Sequence, residues 1–395
     1  MTDASSDLQK YGVPFYGAGW VPYNHIRSKL ASQEKVEEDK KEEKDPTPSN
    51  NDDETTTPLN YVVLAGGGGE GRSGIPNAIV VSHVDLACNS LSDQPVVKHE
   101  TGSDLPYRMA VHPHGDGILC SFQQSCRLFE WEESEGNEVH KLGVKVSEKV
   151  LTQLEDVGQQ LALTFNSEGS ILAVGGEDGS LRVFKWPSME KILNEAQAHS
   201  SVKNLDFSCD GKFLVSLGSA LCRVWDVTSS KVVTSLAKGN DEIFVYCRFS
   251  SINDKNTHLY IAAVTDHGGS ILTYDTATWK RIRTSRVVRE AISAFNVSSD
   301  GKFLAVGTVG GDLCIINAAN MKVQMMVKKA HLGLVTALTF SPDSRALVSA
   351  SLDSSARVTL INDQTKSGGM SWIIIILMVL LAIAVYFIKE KGIIP

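Results

Sequence analysis

Six glycines fall within nine residues between Gly66 and Gly74, in a stretch that reads LAGGGGEGRSGIPNAI from Leu64 to Ile79. Glycine tolerates positive φ and lets the backbone approach a partner or an ion closely, so this segment is the first candidate for chemistry. Two phosphate-binding motifs match it formally. Gly66-x-Gly68-x-x-Gly71 has the spacing of a dinucleotide fingerprint, and Gly66 to Ser73 nearly completes a P-loop, with Arg72 where lysine is required. Both motifs bind phosphate through the N–H groups that open a helix. Here Ile75-Pro76-Asn77 leads instead into Ala78–Val84, an apolar run that reads as a strand, so both matches are set aside. The residues alone also fit an ordinary long hairpin loop. Elsewhere, His112-Pro113-His114 near Asp116 sits at a repeat turn, and no nucleophile–base spacing stands out.

The elements that must position this loop come from an internal repeat. Leu163–Phe165, Leu172–Gly175 and Leu181–Phe184 alternate with Glu168-Gly169 and Asp178-Gly179. The same unit returns near residues 205, 295 and 338, more weakly near 109 and 246, at a spacing of roughly 40–46 residues, that of a four-stranded propeller blade. Asp-Gly and Pro-Asp pairs supply the hairpin turns, and the apolar runs fit strands packed between neighbouring blades. Six such units require a seventh, and Tyr11–Pro22 with Tyr61–Asp85 supplies strands for it. The expected fold is all-β: a seven-bladed WD-repeat-type β-propeller with one C-terminal transmembrane helix. Trp225-Asp226 is the one full Trp-Asp pair. His199 and His331 precede first strands and are expected to be structural, bonded into a network with a turn aspartate.

Three segments lie outside the repeat. Ser32–Pro58 (SQEKVEEDKKEEKDPTPSNNDDETTTP) has too few apolar residues to repay its ordering entropy and reads as a disordered insertion in the first blade. The propeller is expected to span residues 1–365, with a linker over 366–371. Trp372–Ile388 (WIIIILMVLLAIAVYFI) carries no charge and is just long enough to span a bilayer. Residues 389–395 then form a short luminal tail. Met1–Lys10 is polar, so no signal peptide is expected and the body is placed in the cytosol. The seven scattered cysteines, Cys88, Cys120, Cys126, Cys209, Cys222, Cys247 and Cys314, include no CxxC pair and read as reduced strand thiols. A net charge of −8 without a basic face argues against nucleic-acid binding.

Tyr11–Trp20 (YGVPFYGAGW), then AGGGGEGRSGIPN, then a strand ending in Asp85 resembles the Sec-twelve family, called prolactin regulatory element-binding protein in animals. The resemblance implies a guanine-nucleotide exchange factor in the endoplasmic-reticulum membrane. It would act on a Sar-type small GTPase at the start of COPII coat assembly, in ER-to-Golgi transport, with COPII components as further partners. No covalent chemistry is implied, so it is not an enzyme in that sense. The family's loop holds a potassium ion, which carries over to Gly66, Gly67, Gly68, Gly69, Glu70 and Gly71. Its functional asparagine carries over to Asn77, preceded by Ile75 and Pro76, and is expected to act from an exposed loop. Two alternatives are a non-exchanging relative, of the phosphate-transporter traffic facilitator type, and a generic membrane-anchored WD-repeat scaffold. The insertion at Ser32–Pro58 and the very short luminal tail depart from the family pattern.

Overall fold

The computed structural model describes residues 8–38, 59–71, 74–134, 140, 142–250, 257–361 and 376–380. The chain divides into two units, 1–359 and 360–395. The first is a ring of seven antiparallel sheets. Its innermost strands are Phe15–Trp20, Arg108–Val111, Gln160–Phe165, Asn204–Phe207, Ile243–Phe249, Ile292–Val297 and Val335–Phe340. Each of these touches the next, and the last touches the first, so the ring is closed. Six of the seven positions were marked by the repeat, and the N-terminal segment supplies the remaining blade as expected.

That first blade is built from β2 (Phe15–Trp20), β3 (Asn60–Gly66) and β4 (Asn77–Asp85), with β5 (Ser90–Leu91) and β6 (Val97–Gly102) both pairing β4. The residues before it do something the sequence pattern did not reveal. β1 (Leu8–Lys10) crosses to the last blade and pairs Ser355–Leu360, with Gln9 opposite Ala356. The final blade thus takes its fourth strand from the opposite end of the chain, which pairs the outer side of Ser355–Leu360.

Apolar side chains between neighbouring blades form the core. Tyr61, Val63, Ile79 and Val81 of the first blade pack on Ile118, Cys120, Phe122 and Phe129 of the second, all buried. Five of the seven cysteines are buried and none is paired. The polar network differs in one detail from its expectation. His331 meets Ser355 Oγ at 2.6 Å and Ser349 Oγ at 2.7 Å, while Asp353 stands 3.9 Å away. The turn aspartate accepts from Ser355, so it acts one hydrogen bond removed. In the fourth blade His199 and Trp225 share Ser216, each at 2.8 Å. Serine, not aspartate, is the direct partner in both blades.

A second correction concerns the insertion. A helix, α1 (Tyr23–Glu38), leaves β2 and continues past Ser32, so the start of Ser32–Pro58 is helical. Its reason is an apolar stripe: Tyr23, Ile26 and Leu30 recur at helical spacing and pack on the core between the first two blades. The remainder, 39–58, lies outside the described residues. So does most of Trp372–Ile388, of which 376–380 are helical. No described helix is long and apolar enough to cross a membrane.

Candidate functional site

The glycine segment joins β3 to β4, the second and third strands of the first blade. Gly66 and Ala78 are the last facing pair of that ladder. A strand, not a helix, follows the loop, which disposes of both phosphate-loop motifs on the ground expected from the sequence.

Two glycines are dictated by close approach. A Cβ on Gly66 would stand 1.9 Å from the Pro14 carbonyl oxygen. On Gly67, with φ of +154°, it would stand 2.1 Å from Asn77 Oδ1. The Gly67 N–H donates to the Pro14 carbonyl at 2.9 Å, so the YGVP segment supports the loop from below.

Asn77 closes the neck. Its Oδ1 accepts the Gly69 N–H at 2.9 Å, and its Nδ2 donates to the Gly69 carbonyl at 3.2 Å and the Gly102 carbonyl at 3.0 Å. One side-chain amide thereby meets both polar groups of Gly69, as a partner strand would, and ties the loop to the end of β6. The side chain is 2% exposed. The expectation that Asn77 acts from an exposed position is therefore corrected: its amide faces into the loop, where it satisfies the Gly69 N–H and the Gly69 and Gly102 carbonyls.

What faces outward is the tip. Glu70, Gly71, Gly74 and Ile75 are exposed, with Ile75 at 39%, and Pro76 is half-buried. Gly68, half-buried, lies beside the neck, and Gly69 stands at φ +77°. Arg72 and Ser73 lie outside the described residues. The expected site residues are thus brought together in two layers: Gly66, Gly67, Gly69 and Asn77 fix the neck, and Glu70, Gly71 and Ile75 form the tip. Gly102 and the Pro14 carbonyl were missed. Gly102 could have been noticed as a glycine ending a strand, at φ +70°.

Among the described residues, the oxygens this loop offers a cation are neutral backbone carbonyls plus the Glu70 carboxylate. Among the described residues no three His, Cys, Asp or Glu side chains converge as a metal group. This all-oxygen, mainly neutral donor set fits a weakly hydrated monovalent ion such as potassium and lacks the nitrogen and sulfur donors of a zinc site.

Other candidates resolve as structure. His112 is buried, and its Nε2 lies 2.9 Å from the Gly169 carbonyl and 3.4 Å from Asp116. Asp116 is occupied by Lys29 and by the Trp186 indole, so no nucleophile is activated there. In the central channel, a cavity of about 260 Å³, burial pushes the Asp206 carboxyl up to about 6, and its oxygen accepts the Phe249 N–H at 2.7 Å.

Comparison with known proteins adds independent findings. A family model described as the anaphase-promoting complex subunit 4 WD40 domain matches residues 163–252, and one for the WD domain, G-beta repeat, matches 322–359. The chain is 57% identical to "SEC12-like protein 2" of Arabidopsis thaliana, over 94% of this chain and 92% of that protein. It is 33% identical to "SEC12-like protein 1" of the same plant, over 72% and 71%. Against the mouse "Guanine nucleotide-exchange factor SEC12" it is 26% identical, over 82% of this chain and 91% of the relative.

Proposed function

The chain belongs to the SEC12-like family of WD-repeat proteins, and from that premise we propose that it is a guanine-nucleotide exchange factor for a small GTPase. The observation that carries the site is the glycine loop, locked at its neck by Asn77 and presenting Glu70, Gly71, Gly74 and Ile75 outward. An exchange factor makes no bond. It binds the nucleotide-free GTPase more tightly than the loaded form, and linkage then weakens nucleotide binding by the same factor. A loop that must displace a partner's contacts works best when its base is rigid, and the amide bridges of Asn77 supply that rigidity. Asn77 is thus a positioning residue, while Ile75 and Glu70 are the side chains that reach the partner.

The finer reading is a Sar-type GTPase, activated at the endoplasmic reticulum to begin COPII vesicle formation. Trp372–Ile388 would hold the chain there as a single span, with the propeller cytosolic and Lys389–Pro395 luminal. The apolar character of that segment supports this reading. The loop would hold its potassium ion through the carbonyls of Gly66–Gly71, with Glu70 nearby, and the ion would add a fixed positive charge beside the partner's nucleotide site. The two alternatives, a non-exchanging traffic facilitator and a generic scaffold, leave the two-layered loop without a purpose.

The test is a binding comparison. Full-length protein in lipid vesicles is incubated with a Sar-type GTPase either stripped of nucleotide or loaded with GDP. At least tenfold tighter binding of the stripped form is expected. Equal binding of both forms would refute exchange by linkage, since a ligand without differential affinity shifts nothing.

A further inference from the structure

Large exposed apolar side chains are distributed unevenly over the two faces of the ring. In each sheet the second-to-third-strand loop and the connection from fourth strand to next blade emerge on one face, because the strands are antiparallel. The glycine loop lies on that face. So do Val309, Leu332 and Leu352, which are 48%, 79% and 36% exposed, and Val150 and Ile243 further round. Among the described residues, no loop on the opposite face exposes a large apolar side chain. The remaining exposed ones of the ring lie on outer strands.

Three of these side chains stand on neighbouring segments that are joined by hydrogen bonds into an arc. Val309 belongs to the second-to-third-strand loop of the sixth blade, Leu332 to the connection into the seventh, and Leu352 to the corresponding loop of the seventh. The His331 N–H donates to the Gly311 carbonyl at 3.1 Å, joining the first two segments. The Leu332 N–H donates to Asp353 Oδ2 at 2.7 Å, and the Leu352 N–H to the Leu334 carbonyl at 3.2 Å, joining the second and third. The Tyr11 N–H donates to the Ser354 carbonyl, and Pro14, three residues on, supports Gly67. The arc therefore runs through consecutive hydrogen-bonded segments from the sixth blade to the glycine loop and Ile75.

We propose that Val309, Leu332 and Leu352 form the docking surface on which the GTPase rests while the glycine loop engages its nucleotide region. This rests on the exchange reading above. A specific protein interface covers about 800 Å² per partner, and the tip of one loop is far too small to provide that. Scattered single apolar residues on a surface are ordinary, but three on neighbouring hydrogen-bonded segments, on the face that bears a functional loop, point to a contact site. The main chain of all three segments is fixed by hydrogen bonds, so the apolar side chains are presented without a large ordering cost. The occupant is a small GTPase offering an apolar surface next to its nucleotide pocket.

The experiment uses full-length protein in vesicles and a fluorescent-nucleotide release assay across a range of GTPase concentrations. Leu332→Gln and the double variant Val309→Gln/Leu332→Gln add no charge beside Asp353 and remove no buried contact. Ile282→Gln, on the outer strand of the fifth blade, is the control. The expected result is a Tm equal to the parent, KM raised tenfold or more in the double variant, kcat preserved and the control unaffected. Parental KM in the double variant, with an active parent, would overturn the docking surface and leave the exchange reading standing. A parent that accelerates no release would refute the exchange reading itself, and the docking surface with it. A parent that self-associates through Leu332, with exchange unaltered by the substitution, would overturn the proposal in favour of a second copy of this chain.

Discussion

Asn77 decides how the glycine loop is built, and its replacement separates positioning from direct contact. Asn77→Ala leaves the Gly69 and Gly102 groups without partners, which costs about 1–3 kcal/mol of stability. Stimulated release is expected to slow roughly 10- to 100-fold as the tip loses its fixed base. Asn77→Asp keeps the acceptor for Gly69 N–H but loses both donations, so it is expected to be as slow as alanine. Stopped-flow nucleotide release with a parallel melting curve checks both; an alanine variant that exchanges at the parental rate would remove Asn77 from the account. The importance of Asn77 was legible in the sequence, through the glycine run and the family resemblance. Its direction was not, because the inward turn depends on the fold bringing the Gly102 carbonyl, 25 residues away in sequence, within reach of the amide. A second residue-scale prediction concerns His331, buried between two serines, whose pKa burial lowers to about 4. Its unfolded value is near 6.5, so the unfolded chain binds the extra proton first as pH falls. Its contribution, of order 3 kcal/mol, is present above pH 6.5 and is lost between 6.5 and 4. Asp206, raised to about 6, works in the opposite direction, adding stability as pH falls from 6 towards 3.8. NMR titration should place the His331 midpoint near pH 4; a midpoint near 6.5 would show that the site is open to water.

At the scale of elements, the repeat was read from turns and strands, while the departures from it were not. Asp210, Asp300 and Asp343 each accept from a serine two residues earlier, at 2.6, 2.7 and 2.5 Å, and these turns set the rhythm that made the blades visible. β1 was missed because three residues, Leu8–Lys10, carry no periodicity, and only the open edge of Ser355–Leu360 gives them a place. α1 was missed because Tyr23, Ile26 and Leu30 make only a short stripe, ended by the acidic and lysine-rich stretch that follows Ser32. The helix also changes what can be removed. Deleting residues 39–57 is expected to leave the melting temperature within about 2 °C, because shortening a connecting segment alters closure entropy by under about 1 kcal/mol. A deletion that begins at Tyr23 uncovers the buried Ile26 site and should lower it by several degrees. Equal melting temperatures for the two deletions would show that α1 does not contribute to the core.

For the whole molecule, ring closure turns seven marginal sheets into one platform, with loop faces held in fixed relation to each other. The face that bears the glycine loop also bears the apolar arc, and this polarity arises from strand direction alone: every second-to-third-strand loop must emerge on the same side. Sequence periodicity reveals the blades but not which loop residues stand proud: Leu332 is exposed, while Leu334, two residues on, is half-buried and its carbonyl accepts the Leu352 N–H. The account joins a rigid ring, a loop braced by Asn77 and an adjoining docking surface into one activity, catalysed nucleotide release. Fluorescent-GDP release from a Sar-type GTPase, followed with and without full-length protein in potassium-containing vesicle suspensions, measures that activity. The account predicts release accelerated at least tenfold by the parent protein and returned towards the intrinsic rate by Asn77→Ala. Release at the intrinsic rate in the presence of folded parent protein would contradict it.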